Sequence, residues 1–314
     1  MNTVLFSHDA CLGHDPGYGH PECPDRLRAV LRALEDEAFM FLDRRQAPLA
    51  TRDMLTRVHP ERYVDTILSS VPREGFLAID EDTFMSPGSG EAALRAAGAA
   101  CAAVDAVMAA DNDADGARNA FCATRPPGHH AETGRSMGFC LFNNVAVAAR
   151  HAQAVHGIRR VAVIDFDVHH GNGTQDIFWD DPAVFFASTH QAPLYPGTGR
   201  PQETGAHGNI LNATLRAGSG SAEFRAVFAG QILPAVDRFA PELIIVSAGF
   251  DAHLRDPLAQ LALNEADYGW ATEKIGACAA RHAAGRLVSC LEGGYNLDAL
   301  AASAAAHVTA LMAL

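Results

Sequence analysis

The strongest constraint on this chain is a set of short runs that stay apolar almost throughout instead of alternating with polar residues. Residues 121–124, 161–168, 184–189, 243–248 and 287–291 are nearly continuous in Val, Ile, Leu, Phe and Ala. A strand with one wet face alternates, whereas a strand covered on both faces does not, so these runs predict parallel strands between layers of helix. Residues 4–6 read as a sixth. Amphipathic segments fill the gaps. Pro24 and Asp25 open one helix, with Leu27, Val30, Leu31 and Leu34 at helical spacing. Another runs from about Asn143 to His156 and stops at Gly157. Residues 91–110 are so rich in alanine that close packing against neighbours is expected. Strand and helix alternate with no linker, repeat or low-complexity tract, which predicts a single α/β domain over residues 1–314 with a mostly parallel sheet.

Charge and cysteine usage narrow the class. Lys+Arg 24 against Asp+Glu 37 leaves a net charge of −13, and Lys274 is the only lysine. Such a surface repels phosphate backbones, which argues against nucleic acid, and attracts cationic partners such as lysine-rich tails or polyamines. Cys11, Cys23, Cys101, Cys122, Cys140, Cys278 and Cys290 form no C-x-x-C pair. Seven scattered thiols read as reduced cysteines of a cytoplasmic enzyme. Residues 1–10 lack a basic and then apolar leader. The stretch 92–110 carries Arg95 and Asp105, too polar for the membrane span its length would allow.

The residues just beyond each strand are more telling. The 121–124 run leads into Arg125-Pro126-Pro127-Gly128-His129-His130. The 161–168 run carries Asp165 and Asp167 and continues into His169-His170-Gly171-Asn172-Gly173. Gly249-Phe250-Asp251 follows the fourth run, and Glu292-Gly293-Gly294-Tyr295 the fifth. Open α/β sheets bind ligands beyond the carboxyl ends of their strands, so four such ends bearing His, Asp and Tyr predict an active site. Residues i and i+2 of a strand share a face, which puts Asp165, Asp167 and His169 together. Carboxylates turned towards a core need a partner or a cation. Asp167 and His169 with Asp251 make a three-ligand set that leaves positions open, as a catalytic divalent metal requires. Nitrogen and oxygen donors without thiolate suit zinc, with iron or manganese as alternatives. Gly197-Thr198-Gly199 lacks the Lys of a phosphate-binding loop and reads as loop.

Five motifs now stand in order: RPPGHHA (125–131), GFCLFNN (138–144), DFDVHHGNGTQ (165–175), SAGFDAH (247–253) and LEGGYN (291–296). Together they resemble the zinc-dependent histone deacetylase superfamily, most closely its class II-like bacterial members, with acetylpolyamine amidohydrolases as cousins. The likeness runs from about His20-Pro21-Glu22 to Tyr295. It implies the arginase/deacetylase fold, a central parallel sheet of about eight strands with helices on both faces. One zinc ion per chain would be held by Asp167, His169 and Asp251. His130 would act as general base and then acid, and His129 would be held by Asp165. Asn172 would orient His130 without raising its pKa, and Tyr295 would donate to the developing oxyanion. By the same likeness Phe139 and Tyr195 wall an acyl-lysine tunnel, Gly138 and Gly293 line it, and Asp82 grips substrate at the rim. Potassium sites are implied at Asp165, Ser188 and Thr189 and, further away, at Phe178, Asp181 and Val184.

The substrate is less constrained. Polyamine-selective relatives place Glu where Leu258 stands, because an internal ammonium needs a carboxylate partner. Leu258 therefore favours an acetylated lysine of a peptide or protein, with acetylpolyamines or another small amide as the alternative and a non-catalytic acyl-lysine binder as a third reading. Retention of Tyr295 and all three ligands speaks for catalysis. Oligomeric state is left open.

Overall fold

The computed structural model describes residues 2–109 and 116–314. Ten strands occur among them: β1 (Thr3–Ser7), β2 (Asp43–Gln46), β3 (Leu77–Ala78), β4 (Phe84–Met85), β5 (Asn119–Cys122), β6 (Val161–Asp165), β7 (Val184–Gln191), β8 (Ile210–Leu215), β9 (Leu243–Ala248) and β10 (Leu287–Leu291). β3 and β4 pair as a small antiparallel hairpin, and the other eight form one sheet in the order β2-β1-β5-β10-β9-β6-β7-β8. Every pairing in that sheet is parallel.

The unbroken apolar runs have the expected cause. Val161 and Val163 of β6, Leu243 and Ile245 of β9, and Val288 and Cys290 of β10 join one core. The residues between them, Ala162 and Ile164, Ile244 and Val246, Leu287 and Leu291, join a second core on the opposite face. Both faces are dry, so both residues of the two-residue period are mostly apolar.

Two sheet strands lie outside the apolar runs, β2 and β8, and they are the two edges. β2 reads Asp-Arg-Arg-Gln with alternating exposure, and Asn212 and Thr214 interrupt the apolar pattern of β8. An edge strand has one less covered flank, and its sequence shows it. The expected helices are present. Pro24–Ala33 starts at its proline, and Asn144–His156 is capped by the Asn143 side chain on the Ala146 N–H and ended by Gly157 in the left-handed region.

Topology explains the convergence of the motifs. After β5 the chain crosses to β6, and the later strands β9 and β10 fill the gap, so β5-β10-β9-β6 are consecutive neighbours. These are the four strands whose carboxyl ends carry His129 and His130, Tyr295, Asp251, and Asp167 with His169.

The alanine-rich segment forms the helix Ser89–Ala109, and Ala110 lies outside the described residues. It is long and apolar enough to cross a membrane despite Arg95 and Asp105, a correction to the polarity expectation, but 67% of its apolar window is buried inside the protein, as in the core helix of a globular domain. Small side chains let backbones approach. A Cβ at Gly98 would lie 2.1 Å from the Pro48 carbonyl oxygen and 2.6 Å from the Ala50 nitrogen. Backbone cannot swing aside as a flexible side-chain end can. Gly98→Ala should therefore destabilise the fold by about 2 kcal/mol, the usual range for an overpacked interior. Urea titration checks this; an unchanged midpoint would mean that the 48–50 segment gives way freely.

Candidate active site

The carboxylates at the strand ends are each fixed by backbone donors. Asp165 Oδ1 accepts the Asp167 N–H (3.0 Å), and Asp167 Oδ1 accepts the His169 N–H (2.9 Å). Asp167 Oδ2 accepts the Gly293 N–H (2.8 Å), and Asp251 Oδ1 accepts the Val168 N–H (2.8 Å). Tight turns off the strands supply these donors, and charge-assisted bonds of this kind hold ionised groups in a dry interior.

Asp167, His169 and Asp251 are all buried, and their ligand atoms lie within 4.8 Å of one another. His169 Nδ1 is 3.1 Å from both Asp167 Oδ1 and Asp251 Oδ2. Burial alone would lower the His169 pKa, but hydrogen bonds to the two carboxylates outweigh it and push it up to about 10. Burial and the Asp167 charge push the Asp251 carboxyl up. Two carboxylates thus compete for one positive group, and a divalent cation at their focus suits the donor set better than a proton does. Two other triads have ligand atoms as close, Asp105/His151/His156 and Asp237/Cys278/His282. Arginine already serves both, Arg57 on His151 and Arg281 on Asp237.

The histidine pair is differentiated by its partners. His129 Nδ1 donates to Asp165 Oδ2 (3.0 Å), and its Nε2 lies 3.8 Å from Asp167 Oδ2. Burial opposes its charge, but Asp167 and Asp165 outweigh that and hold its pKa well above the usual value. His130 faces Asn172 Oδ1 through Nδ1 (2.8 Å), while the Asn172 amide donates to Glu132 Oε1 (2.7 Å). The Glu132 bond settles which end of the amide is oxygen. His130 Nδ1 must therefore carry the proton, leaving Nε2 as the basic nitrogen. Burial, then the neighbouring His129 and His169, keep His130 neutral by lowering its pKa well below the usual value.

A cavity of ≈ 210 Å³ opens above these groups, lined by Asp82, His130, Gly138, Phe139, His169, Leu194, Tyr195, Leu258 and Tyr295. The Tyr195 ring meets His130 edge-on at 5.2 Å, and Phe139 meets Tyr295 at 5.9 Å. Gly138 and Phe139 both have positive φ, 57° and 68°. For phenylalanine the left-handed region costs about 1–2 kcal/mol. The wall is held there by two bonds, Gly138 N–H to Asp82 Oδ1 (3.2 Å) and Phe139 N–H to Thr83 Oγ1 (3.0 Å). Burial keeps the Tyr295 phenol protonated, with its pKa well above 10.

Two expected lining residues have different surroundings. Gly293 does not line the cavity; its N–H serves Asp167, and its Cα lies against the carboxylates. Asp82 does line the rim, but its Oδ1 is engaged by Thr83 and Gly138 of the protein's own wall. Of the implied potassium positions, Ser188 is the sheet partner of Asp165, and its hydroxyl meets His190 Nδ1 (2.9 Å). The buried Thr189 hydroxyl has no hydrogen-bond partner among the described residues. The carbonyls of Phe178, Asp181 and Val184 do converge, but on the Asn209 amide nitrogen, at 2.8, 3.1 and 3.1 Å.

Glu292 escaped the sequence reading. Its Oε2 accepts the N–H groups of Gly128 (2.6 Å) and His129 (3.1 Å), and its Oε1 accepts from Ser247 (3.3 Å). Burial pushes its carboxyl up to about 7. The available signal was a charged residue directly continuing a fully buried central strand.

Comparison with known proteins agrees with this geometry. The model of the histone deacetylase domain matches residues 20–311. The chain is 41% identical over 324 residues to "Histone deacetylase 14, chloroplastic" of Arabidopsis thaliana, covering 98% of this chain and 76% of that one. It is 38% identical to a "Histone deacetylase-like amidohydrolase" of Pseudomonas aeruginosa, over 94% of this chain and 82% of the relative. Among solved structures, the HDA15 HD domain superposes with a TM-score of 0.93 at 34% identity, covering 99% of this chain and 88% of its own.

A Cβ at Gly293 would stand 2.0 Å from Asp251 Oδ2 and 2.6 Å from Asp167 Oδ2. Gly293→Ala should therefore lower bound divalent metal, read by ICP-MS after dialysis, while circular dichroism stays native. Full metal content in this variant would show that the two carboxylates can separate without losing the ion.

Proposed function

The chain belongs to the histone deacetylase family and is a hydrolase of the deacetylase kind, and from that premise we propose that it is a zinc enzyme removing acetyl groups from lysine side chains of peptides and proteins. The observation that carries this reading is a narrow cavity with walls of Phe139, Leu194, Tyr195 and Leu258 that reaches His130, His169 and Tyr295. Apolar walls suit the methylene stem of lysine, and the polar end suits its amide. Asp167, His169 and Asp251 would hold the zinc ion, which when bound acidifies a water and polarises a carbonyl.

The remaining chemistry belongs to the side chains. His130, neutral and with its free Nε2 set by Asn172, accepts a proton from the attacking water and later returns it to the leaving amine. His129, held charged between Asp165 and Asp167, adds a positive field beside the developing negative charge. Tyr295 donates its phenolic proton to the carbonyl oxygen as charge accumulates there. Leucine at 258 offers no partner for an ammonium inside the substrate, which favours lysine over a polyamine.

An acetyl-lysine peptide assayed beside acetylputrescine and acetylspermidine on zinc-loaded protein tests the substrate class. We expect the higher kcat/KM for the peptide, and Leu258→Glu should move the ratio towards acetylspermidine. Turnover confined to the small amines would reverse the assignment. Tyr295→Phe should keep zinc while kcat falls by about 10²–10³-fold, the size typical of a lost oxyanion donor. An unaltered kcat would remove Tyr295 from that role.

A further inference from the structure

Tyr295 comes after two glycines, so no side chain at 293 or 294 anchors the loop that carries the phenol. Its placement depends on bonds to its backbone. Two residues far away in the chain make them. Arg26 donates from Nε to the Gly294 carbonyl (2.6 Å) and from Nη2 to the Glu292 carbonyl (2.5 Å), with its guanidinium 4.8 Å from the Tyr295 ring centre. On the other side, Asp256 Oδ2 accepts the N–H of Tyr295 itself (2.7 Å).

Asp256 does a second thing with its other oxygen. Oδ1 accepts the N–H of Leu258 (3.0 Å), the residue that lines the cavity near its mouth. Asp256 is buried, with 8% of the residue exposed, and its backbone N–H is fixed on the carbonyl of His253 (2.8 Å), two residues beyond Asp251. One rigid, buried group therefore touches both the rim of the cavity and the backbone of the residue that donates at its floor. The side chain suits this place because both N–H groups need acceptors and it offers one oxygen to each.

We propose that Asp256 is a positioning residue that couples the rim residue Leu258 to the placement of the Tyr295 phenol, so that seating of the substrate stem against Leu258 is felt at the oxyanion donor. The inference rests on Tyr295 acting as that donor. Asp256 touches neither substrate nor metal; it acts through the two N–H groups it holds.

The test is a double-mutant cycle on zinc-loaded enzyme with an acetyl-lysine peptide. Asp256→Asn places an NH2 group against one of the two N–H donors and should displace the loop. A misplacement of about 1 Å costs on the order of 10²-fold in rate. We expect kcat to fall by that order, KM to change less than threefold and zinc content to stay at the wild-type value. Asp256→Glu, which keeps two acceptor oxygens, should recover part of the loss, and it carries the cycle if the Asn variant does not fold. The deciding readout is the Tyr295→Phe background. Adding Asp256→Asn there should cost less than threefold, because a positioning residue has nothing left to position. An equal loss in both backgrounds, or loss of zinc in Asp256→Asn alone, would overturn the coupling. An unchanged kcat for Tyr295→Phe by itself would instead strike at the role of Tyr295, a separate failure.

Discussion

Placing Asp165, Asp167, Asp251 and Glu292, all fully buried, at the ends of neighbouring strands costs several kcal/mol per ionised group unless each charge is met. Almost every feature of the site can be traced to that demand. Backbone N–H groups of Asp167, Val168, His169, Gly128, His129 and Gly293 point at carboxylate oxygens because the chain turns sharply after each strand. His129 lies between Asp165 and Asp167 and becomes the charged member of its pair, which in turn helps to keep His130 neutral. The polarity needed for acid–base work thus comes from the same electrostatics that makes the interior tolerable. A divalent ion among Asp167, His169 and Asp251 would be the remaining counter-charge, and its binding and local stability should then be coupled.

A second buried ionic group ties the N-terminal loop to this centre. Glu22 accepts from Arg125 through both oxygens, from Arg26 (2.9 Å), and lies 3.3 Å from His14 Nε2. Arg125 also donates to the Cys11 and His14 carbonyls, at 2.9 and 3.0 Å. Burial would raise the Glu22 pKa, but Arg125 and its neighbours hold it well below the carboxylate norm. With two guanidinium groups on one carboxylate, the cluster leaves Arg26 free to present its other N–H groups to the Glu292 and Gly294 carbonyls. The sign of charge alternates across the site: acidic at the candidate metal ligands, basic behind the glycine pair.

How much of this was legible in the sequence depends on the period of the strands. Central strands have two dry faces, so β6, β9 and β10 announce themselves as apolar runs, and the polar residues within a few positions of each end mark a site. Edge strands β2 and β8 gave no such signal. The candidate ligand set was readable because Asp167 and His169 stand two residues apart just beyond a central strand and a carboxylate was missing from the count; Asp251 stood at another strand end. That central strand ends at Asp165, and the two sit in the bend after it and not on a strand face. Side chains that act on backbone were harder to see. Glu292, Asp256 and the Asp82–Gly138 bond depend on where a distant N–H comes to rest, which no local spacing encodes. Asn209 is a further case: carbonyls at 178, 181 and 184 were implied as a cation site, and only the fold shows that the Asn209 side chain, from the residue just before β8, reaches the same three oxygens.

The cavity wall divides into a part fixed by the protein and a part open to the substrate. Gly138 and Phe139 are held in the left-handed region by Asp82 and Thr83, and the His20 ring backs Phe139 at 4.8 Å while its Nε2 donates to the Asp82 carbonyl (3.0 Å). That wall already carries its strain and cannot adapt much. Tyr195 is 38% exposed and Leu258 part-buried, so both side chains present themselves to what enters. Discrimination between a lysine stem and a polyamine should therefore reside on the Leu258 side, where a charged partner for an internal ammonium could be introduced without disturbing Phe139.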